Sequence, residues 1–268
     1  LCNLGPLAAR RAITMIHDAQ IYISPESYSP AFVAWYRIAL PTLGRNSACV
    51  LTVSEYSRQM LAQHKVAPAE KIRVLHNGVD HILRVTPARD VTSRLGLSSR
   101  KYVLALANTQ AHKNIGLLFK AFAQVRHPDL RLVLIGSASA DDFRAAGHSP
   151  GENVVIAGRV SDAELRGLMA DALCFACPSL TEGFGLPPLE AMLTGCPAIA
   201  APCGALPEVC GDAAFYAGAH DPEEWARTIE ALSEQPALWE ARSAQGVAQA
   251  QKFTWRKSAA NLLDIIAR

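Results

Sequence analysis

The apolar run at residues 173–177 (LCFAC) stops at Pro178, and a few residues later the chain has turned on Gly183 and Gly185 into a helix. Two glycines permit the tight turn, and Pro187-Pro188 suit a helix's first turn, where a missing N–H costs little. The same unit, a buried strand followed by a turn and a helix, recurs along the chain. It constrains the fold more than any other feature. Strands joined through helices pair in parallel, with the helices packed on the sheet faces. The fold class expected is α/β.

In the first part, strands are expected at 12–17 (AITMIH), 49–53 (CVLTV) and 71–75 (KIRVL), with helices at 30–40 and 55–64 and Ser54 as an N-cap. From 82 to 101 the apolar periodicity fades, as in an interdomain linker. The second part predicts strands at 102–107, 131–135, 154–157, 173–176 and 198–200. Its helices are expected at 115–125, 163–172, 188–193, 222–233, 237–251 and 256–267, with Asn114 and Ser161 at N-cap positions. Trp225, Trp239 and Trp255 fall on apolar helix faces and read as core. The division expected is a partial Rossmann-like lobe at 1–85, a complete one at 86–253, and a final helix at 254–268 packing back toward the first lobe. Three strands are thin for a Rossmann-like half, so earlier strands outside this sequence are expected to complete the first lobe.

Composition excludes several classes. With 268 residues, half of them hydrophobic, there is material for two compact lobes, and a net charge of +2 does not favour nucleic acid. The seven cysteines lie mostly in apolar runs, which favours buried, reduced thiols and a cytoplasmic location. Cys174-x-x-Cys177 resembles a metal or redox pair, but strand positions three apart point to opposite faces, and no second pair stands at zinc-site spacing. No metal is expected. No apolar run approaches the roughly 18 residues of a membrane span, and no signal-peptide pattern opens the sequence, so contact with a membrane is at most peripheral. Arg10-Arg11 reads as a solvated pair, or as a contact to an anionic acceptor or membrane surface.

The chemistry concentrates around the glycine turn. Glu182 sits in it and Glu190 about one helical turn in, eight residues apart. Peptide N–H groups at such a helix start attract phosphate. A carboxylate beside that cradle is repelled by the anion, unless it accepts hydrogen bonds from sugar hydroxyls. Together they point to a nucleotide sugar. The plainer readings are a solvated turn residue and a helix-surface charge for the two glutamates, a surface lysine for Lys113, and a satisfied core residue for His17. Asn77-Gly78 reads as a tight turn giving hinge geometry, and Glu208, after Pro207, as a carboxylate suited to a helix start.

Five segments together resemble the family 4 retaining glycosyltransferases (glycosyl transferases group 1), in particular the bacterial polysaccharide mannosyltransferases. They are the E-x7-E of Glu182 and Glu190, VLHNGVD at 74–80, LALANTQAHKNIGLL at 104–118, PAIAAPCGALPEVCGDA at 197–213 and TMIHD at 14–18. The resemblance implies a GT-B fold of two facing Rossmann-like lobes, the first one truncated here. It implies that Glu190 holds the donor ribose. Glu182, with the turn Gly183, Phe184, Gly185 and Leu186, would hold the sugar and its phosphate. Lys113 would neutralise the departing diphosphate, and His17 would lie near the reacting sugar with Asp18 orienting its ring.

Where the family usually offers an arginine near the lysine, this chain has His112, Asn108 and Gln110, so Asn108 joins the donor site and Arg159 is expected to help the clamp. No D-x-D motif occurs, and no cofactor or metal is implied beyond the nucleotide sugar, with GDP-mannose favoured over UDP- or ADP-sugars. The acceptor implied is a glycan or lipid-linked oligosaccharide. The alternative is a non-catalytic nucleotide-sugar-binding module, or an inactive fragment lacking the family's glycine-rich loop.

Overall fold

The computed structural model describes residues 12–267; Cys2 and the Arg10-Arg11 pair lie outside them. Strands β1 (Ile13–Met15), β2 (Cys49–Thr52) and β3 (Ile72–Val74) form a parallel sheet in that order. Strands β4 (Tyr102–Leu106), β5 (Arg131–Ile135), β6 (Val154–Gly158), β7 (Cys174–Cys177), β8 (Ala198–Ala200) and β9 (Phe215–Tyr216) form a second parallel sheet, ordered β6-β5-β4-β7-β8-β9. The chain therefore grows outward from β4, returns to the middle, and grows the other way from β7. The loops leaving β4 and β7 part in opposite directions, which opens a crevice at the carboxyl ends of these strands.

Continuous apolar strands such as Tyr102–Leu106 are buried because helices cover both faces of the sheet. The period of two divides the cysteine pair as predicted: Phe175 and Cys177 join the core on one face, Cys174 and Ala176 the core on the other. Burial raises both thiols well above their usual range, Cys177 to about 12. On the second face Trp225, carried by the helix Pro222–Glu234, is fully buried, and its Nε1 donates to the Gly218 carbonyl at 3.1 Å.

Some expectations change. The helix starting at Pro30 does not stop at residue 40 but runs to Asn46, through Pro41. Pro41 has no N–H to give the Arg37 carbonyl four residues back; Arg37 and Ile38 are exposed, on the side of the helix where water can reach that carbonyl. The stretch 82–101 is no loose linker. It holds a 3-10 turn (Asp80–Arg84) and a short helix (Asp90–Arg94), and Ile82 and Val91 enter the core of the second sheet. Ser54 and Ser161 cap their helices. Asn114 occupies the N-cap position but makes no side-chain cap bond: its backbone is left-handed, and its Nδ2 donates to the Pro178 (3.1 Å) and Ala219 (2.8 Å) carbonyls.

The two sheets meet across the glycine turn. Ser54 and Ser57, at the start of the helix Glu55–Gln63, both donate to the Gly183 carbonyl, at 2.6 and 3.0 Å. The segment after β3 crosses between the sheets and is bound by the start of the last helix, Trp255–Ala267. Trp255 N donates to Asp80 Oδ1 at 2.7 Å, Val79 N donates to the Phe253 carbonyl at 3.1 Å, and Ser258 Oγ donates to the His76 carbonyl. Trp255 is therefore not core. It is 41% exposed and sits against the crossing, whereas Trp225 is buried and Trp239 partly so.

Candidate active site

The crevice between β4 and β7 holds a cavity of about 350 Å³ whose wall includes Asn108, Lys113, Gly136, Ser179, Glu182 and Pro187. Lys113 ends a 3-10 turn after β4, and Glu182 stands in the turn after β7. Lys113 Nζ lies 2.7 Å from Glu182 Oε1, and Ser179 Oγ donates to the same oxygen at 2.7 Å. An ionised carboxylate accepts through two oxygens, so Oε2 stays available to a ligand. Asn108 Oδ1 accepts the Gln110 N–H at 3.0 Å, which folds the loop that carries Lys113.

Gly185 begins the helix Leu186–Leu193 with φ +97°, a backbone that side chains rarely adopt. Contrary to expectation, none of Gly183, Phe184, Gly185 and Leu186 is in the cavity wall. Phe184 is buried against His76 and Phe253, and Leu186 packs on the same core, so neither side chain lines the cavity. Arg159 does not join the site as expected: it is exposed beyond β6, makes no ion pair among the described residues, and is not in the cavity wall. A sheet order that sets β6 outside β5 leaves two strands, β5 and β4, between its loop and β7.

Glu190 is buried one helical turn in. Burial pushes its carboxyl above the ordinary range, against the opposing pull of His81, whose Nε2 lies 3.0 Å from Oε1. His17 stands exposed at the end of β1, on a second cavity of about 250 Å³ walled by Tyr28, Phe32 and Tyr36. Protein packed around its position holds the imidazole below its usual value. Asp18 does not orient that ring. Its Oδ1 accepts the Gln20 N–H at 2.9 Å, and its side chain lies against Gly183. Tyr28 lines the cavity beside His17, and burial, with the charges of Asp18 and Glu182, raises its hydroxyl to about 12.

Glu208 does more than suit its own helix. Its carboxylate accepts the N–H groups of Glu55 (2.8 Å) and Tyr56 (3.0 Å), capping a helix of the other sheet, and pairs with His76 at 3.3 Å. Burial pushes its carboxyl up, but these hydrogen bonds prevail and the net shift is downward. A carboxyl lowered in the fold stabilises it above the unfolded value, about 4.3, and loses that contribution as pH falls through the lower folded value. Acid titration of folding should therefore show a Glu208-dependent loss below about pH 4. In Glu208→Gln that part of the pH profile should vanish; an unchanged profile would remove Glu208 from the interface.

His81, Tyr28 and the capping role of Glu208 were not foreseen. His81 follows the N-G-V-D segment directly, the one available signal that it belongs near the site.

The model of the glycosyl transferases group 1 matches residues 100–235, and that of glycosyltransferase family 4 matches residues 3–82. O-antigen chain mannosyltransferase B of Escherichia coli is 31% identical over 264 residues, covering 93% of this chain and 68% of that one. D-inositol 3-phosphate glycosyltransferase of Segniliparus rotundus is 31% identical over 216 residues, 76% of this chain and 48% of that one. The Anabaena Alr3699/HepE structure in complex with UDP and glucose superposes with a TM-score of 0.81 at 24% identity, covering 96% of this chain and 72% of that one. WaaG, a glycosyltransferase of lipopolysaccharide biosynthesis, superposes at 0.72 with 15% identity, covering 95% and 75%.

Proposed function

The chain belongs to the family 4, group 1 glycosyltransferases and has their GT-B fold; from that premise we propose that it transfers a hexose from a nucleotide diphosphate sugar with retention of configuration. The observation that carries the reading is the meeting of Lys113 and Glu182, from the loops after β4 and β7, in one cavity at the switch point of the sheet. The C1–O bond to the leaving phosphate breaks and the bond to the acceptor oxygen forms on the same face of the sugar. The acceptor's proton passes to the leaving phosphate oxygen. Lys113 and the turn's backbone N–H groups meet the charge gathering on the diphosphate, a preorganised cation standing where charge develops. Glu182 Oε2 accepts from the transferred sugar, Glu190 from the ribose, and no metal or other cofactor is required.

The acceptor, a glycan or lipid-linked oligosaccharide, approaches beside His17, where the cavity walled by Tyr28, Phe32 and Tyr36 reaches Asp18, whose side chain lies against Gly183 of the glycine turn. Mannose from GDP-mannose is the favoured donor. Support comes from the mannosyltransferase named above and from a GDP-mannose:cellobiosyl-diphosphopolyprenol alpha-mannosyltransferase of Komagataeibacter xylinus, 34% identical over 168 residues, 60% of this chain and 40% of that one. No helix among the described residues is long and apolar enough to cross a membrane. Buried free thiols fit a cytoplasmic enzyme working at most at the membrane's inner face.

A panel of GDP-, UDP- and ADP-sugars read by thermal shift tests the donor assignment, since a ligand bound only by the folded state raises the melting temperature. One member should stabilise the wild type, and Glu190→Ala should lose most of the shift. If the shift survives that substitution, Glu190 does not hold the donor. If the stabilising sugar is bound but neither transferred nor hydrolysed, the chain is a binding module.

A further inference from the structure

Glu190 is nearly enclosed, and one partner reaches its carboxylate from the segment that crosses between the sheets. His81 Nε2 lies 3.0 Å from Glu190 Oε1, and on the ring's other side Trp255 Nε1 lies 3.2 Å from His81 Nδ1. An indole N–H can only donate, so Nδ1 must accept. In the neutral imidazole the proton then sits on Nε2, pointing at the carboxylate. Trp255 is itself anchored, its backbone N–H donating to Asp80 Oδ1 at 2.7 Å. Three elements thus form one chain of directed hydrogen bonds: the start of the last helix, the crossing segment and the helix carrying Glu190.

We propose that Trp255 and His81 are positioning residues: they hold one Glu190 oxygen and turn the other toward the ribose hydroxyls of the donor. The crossing segment thereby sets how well the site tells a ribonucleotide from one without those hydroxyls. The proposal rests on the assignment of Glu190 to the ribose. A carboxylate fixed by one hydrogen bond loses less freedom when it accepts the next, which is how an outer partner orients an inner ligand. Without the Trp255 N–H, the imidazole proton is free to move to Nδ1, and Nε2 would then present a lone pair to Glu190.

The test compares GDP, UDP and ADP with their 2′,3′-dideoxy forms by calorimetric titration, using the base that binds most tightly. The wild type should prefer the ribo form by about tenfold or more, as expected for lost hydrogen bonds to a charged group. Glu190→Ala should flatten that ratio. His81→Phe should reduce it nearly as far, and Trp255→Phe, which keeps a ring but removes the donor, by a smaller factor. His81→Gln, which retains an N–H where Nε2 stands, should keep most of it.

A general packing defect would weaken ribo and dideoxy forms alike and leave the ratio intact, and that result in both His81→Phe and Trp255→Phe would overturn the proposal. If His81→Phe does not fold, Trp255→Phe alone decides. If the wild type shows no preference, or Glu190→Ala keeps it, the ribose assignment fails and the proposal with it.

Discussion

Lys113→Ala should slow turnover of the donor sugar, by transfer or by hydrolysis, by two to three orders of magnitude. Losing one preorganised group at the developing charge raises a barrier by about 3–4 kcal/mol. Two effects combine here. The diphosphate departs without its cation, and Glu182, whose Oε1 rests 2.7 Å from Lys113 Nζ, is left as a second negative charge beside it. Donor binding should weaken less than turnover, because the charge grows as the bond breaks. Lys113→Arg should recover part of the rate, since it restores the charge with a different geometry. Turnover of the stabilising GDP-, UDP- or ADP-sugar measures this, and an Ala variant with wild-type kcat would take Lys113 out of the reaction.

Gly204→Val should damage fold and site together. Gly204 has φ +61°, and a Cβ there would sit 2.5 Å from the Glu182 nitrogen and 2.6 Å from its carbonyl oxygen. Neither neighbour is a flexible side-chain end. A β-branched residue in the left-handed region adds its own strain, so the loss should be on the order of 3 kcal/mol. The chain could relieve the clash only by pushing Glu182 away, which breaks the Ala205 N to Glu182 O bond of 2.9 Å and moves its carboxylate off Lys113. Melting temperature and turnover of the folded fraction should therefore fall together. A variant that melts like the wild type, or one whose folded fraction keeps full activity, would contradict this account.

The fold was legible where periodicity was strong. Runs such as 131–135 (RLVLI) became strands because burial on both faces demands continuous apolar residues. Strand β9 was missed because Phe215–Tyr216 is too short to show a period. The helix Ala140–Ala145 was missed too, although Ser139 and Asp142 form a capping box, because Phe143 is its one buried residue and no apolar stripe marks it. At the site, Lys113 and Glu182 could be read because each stands at a strand-to-helix turn, where topology leaves little choice of position. Arg159 stands at such a turn as well, but its distance from the crevice depends on strand order, which no local pattern carries. His81 and Glu208 act across elements far apart in the chain, and only the packing of the two sheets brings them to their partners.

The grip of Ser54 and Ser57 on the Gly183 carbonyl bears on how relatives of this chain can be recombined. The turn that presents Glu182 is tethered by side chains from the opposite half, so the halves are not interchangeable cassettes. A chimaera that exchanges the first half to change acceptor preference would inherit a donor turn whose tether has been cut, unless hydroxyl residues at positions 54 and 57 travel with the graft. The useful joint for such swaps lies beyond the helix Glu55–Gln63, so that the tether moves with the half that supplies it.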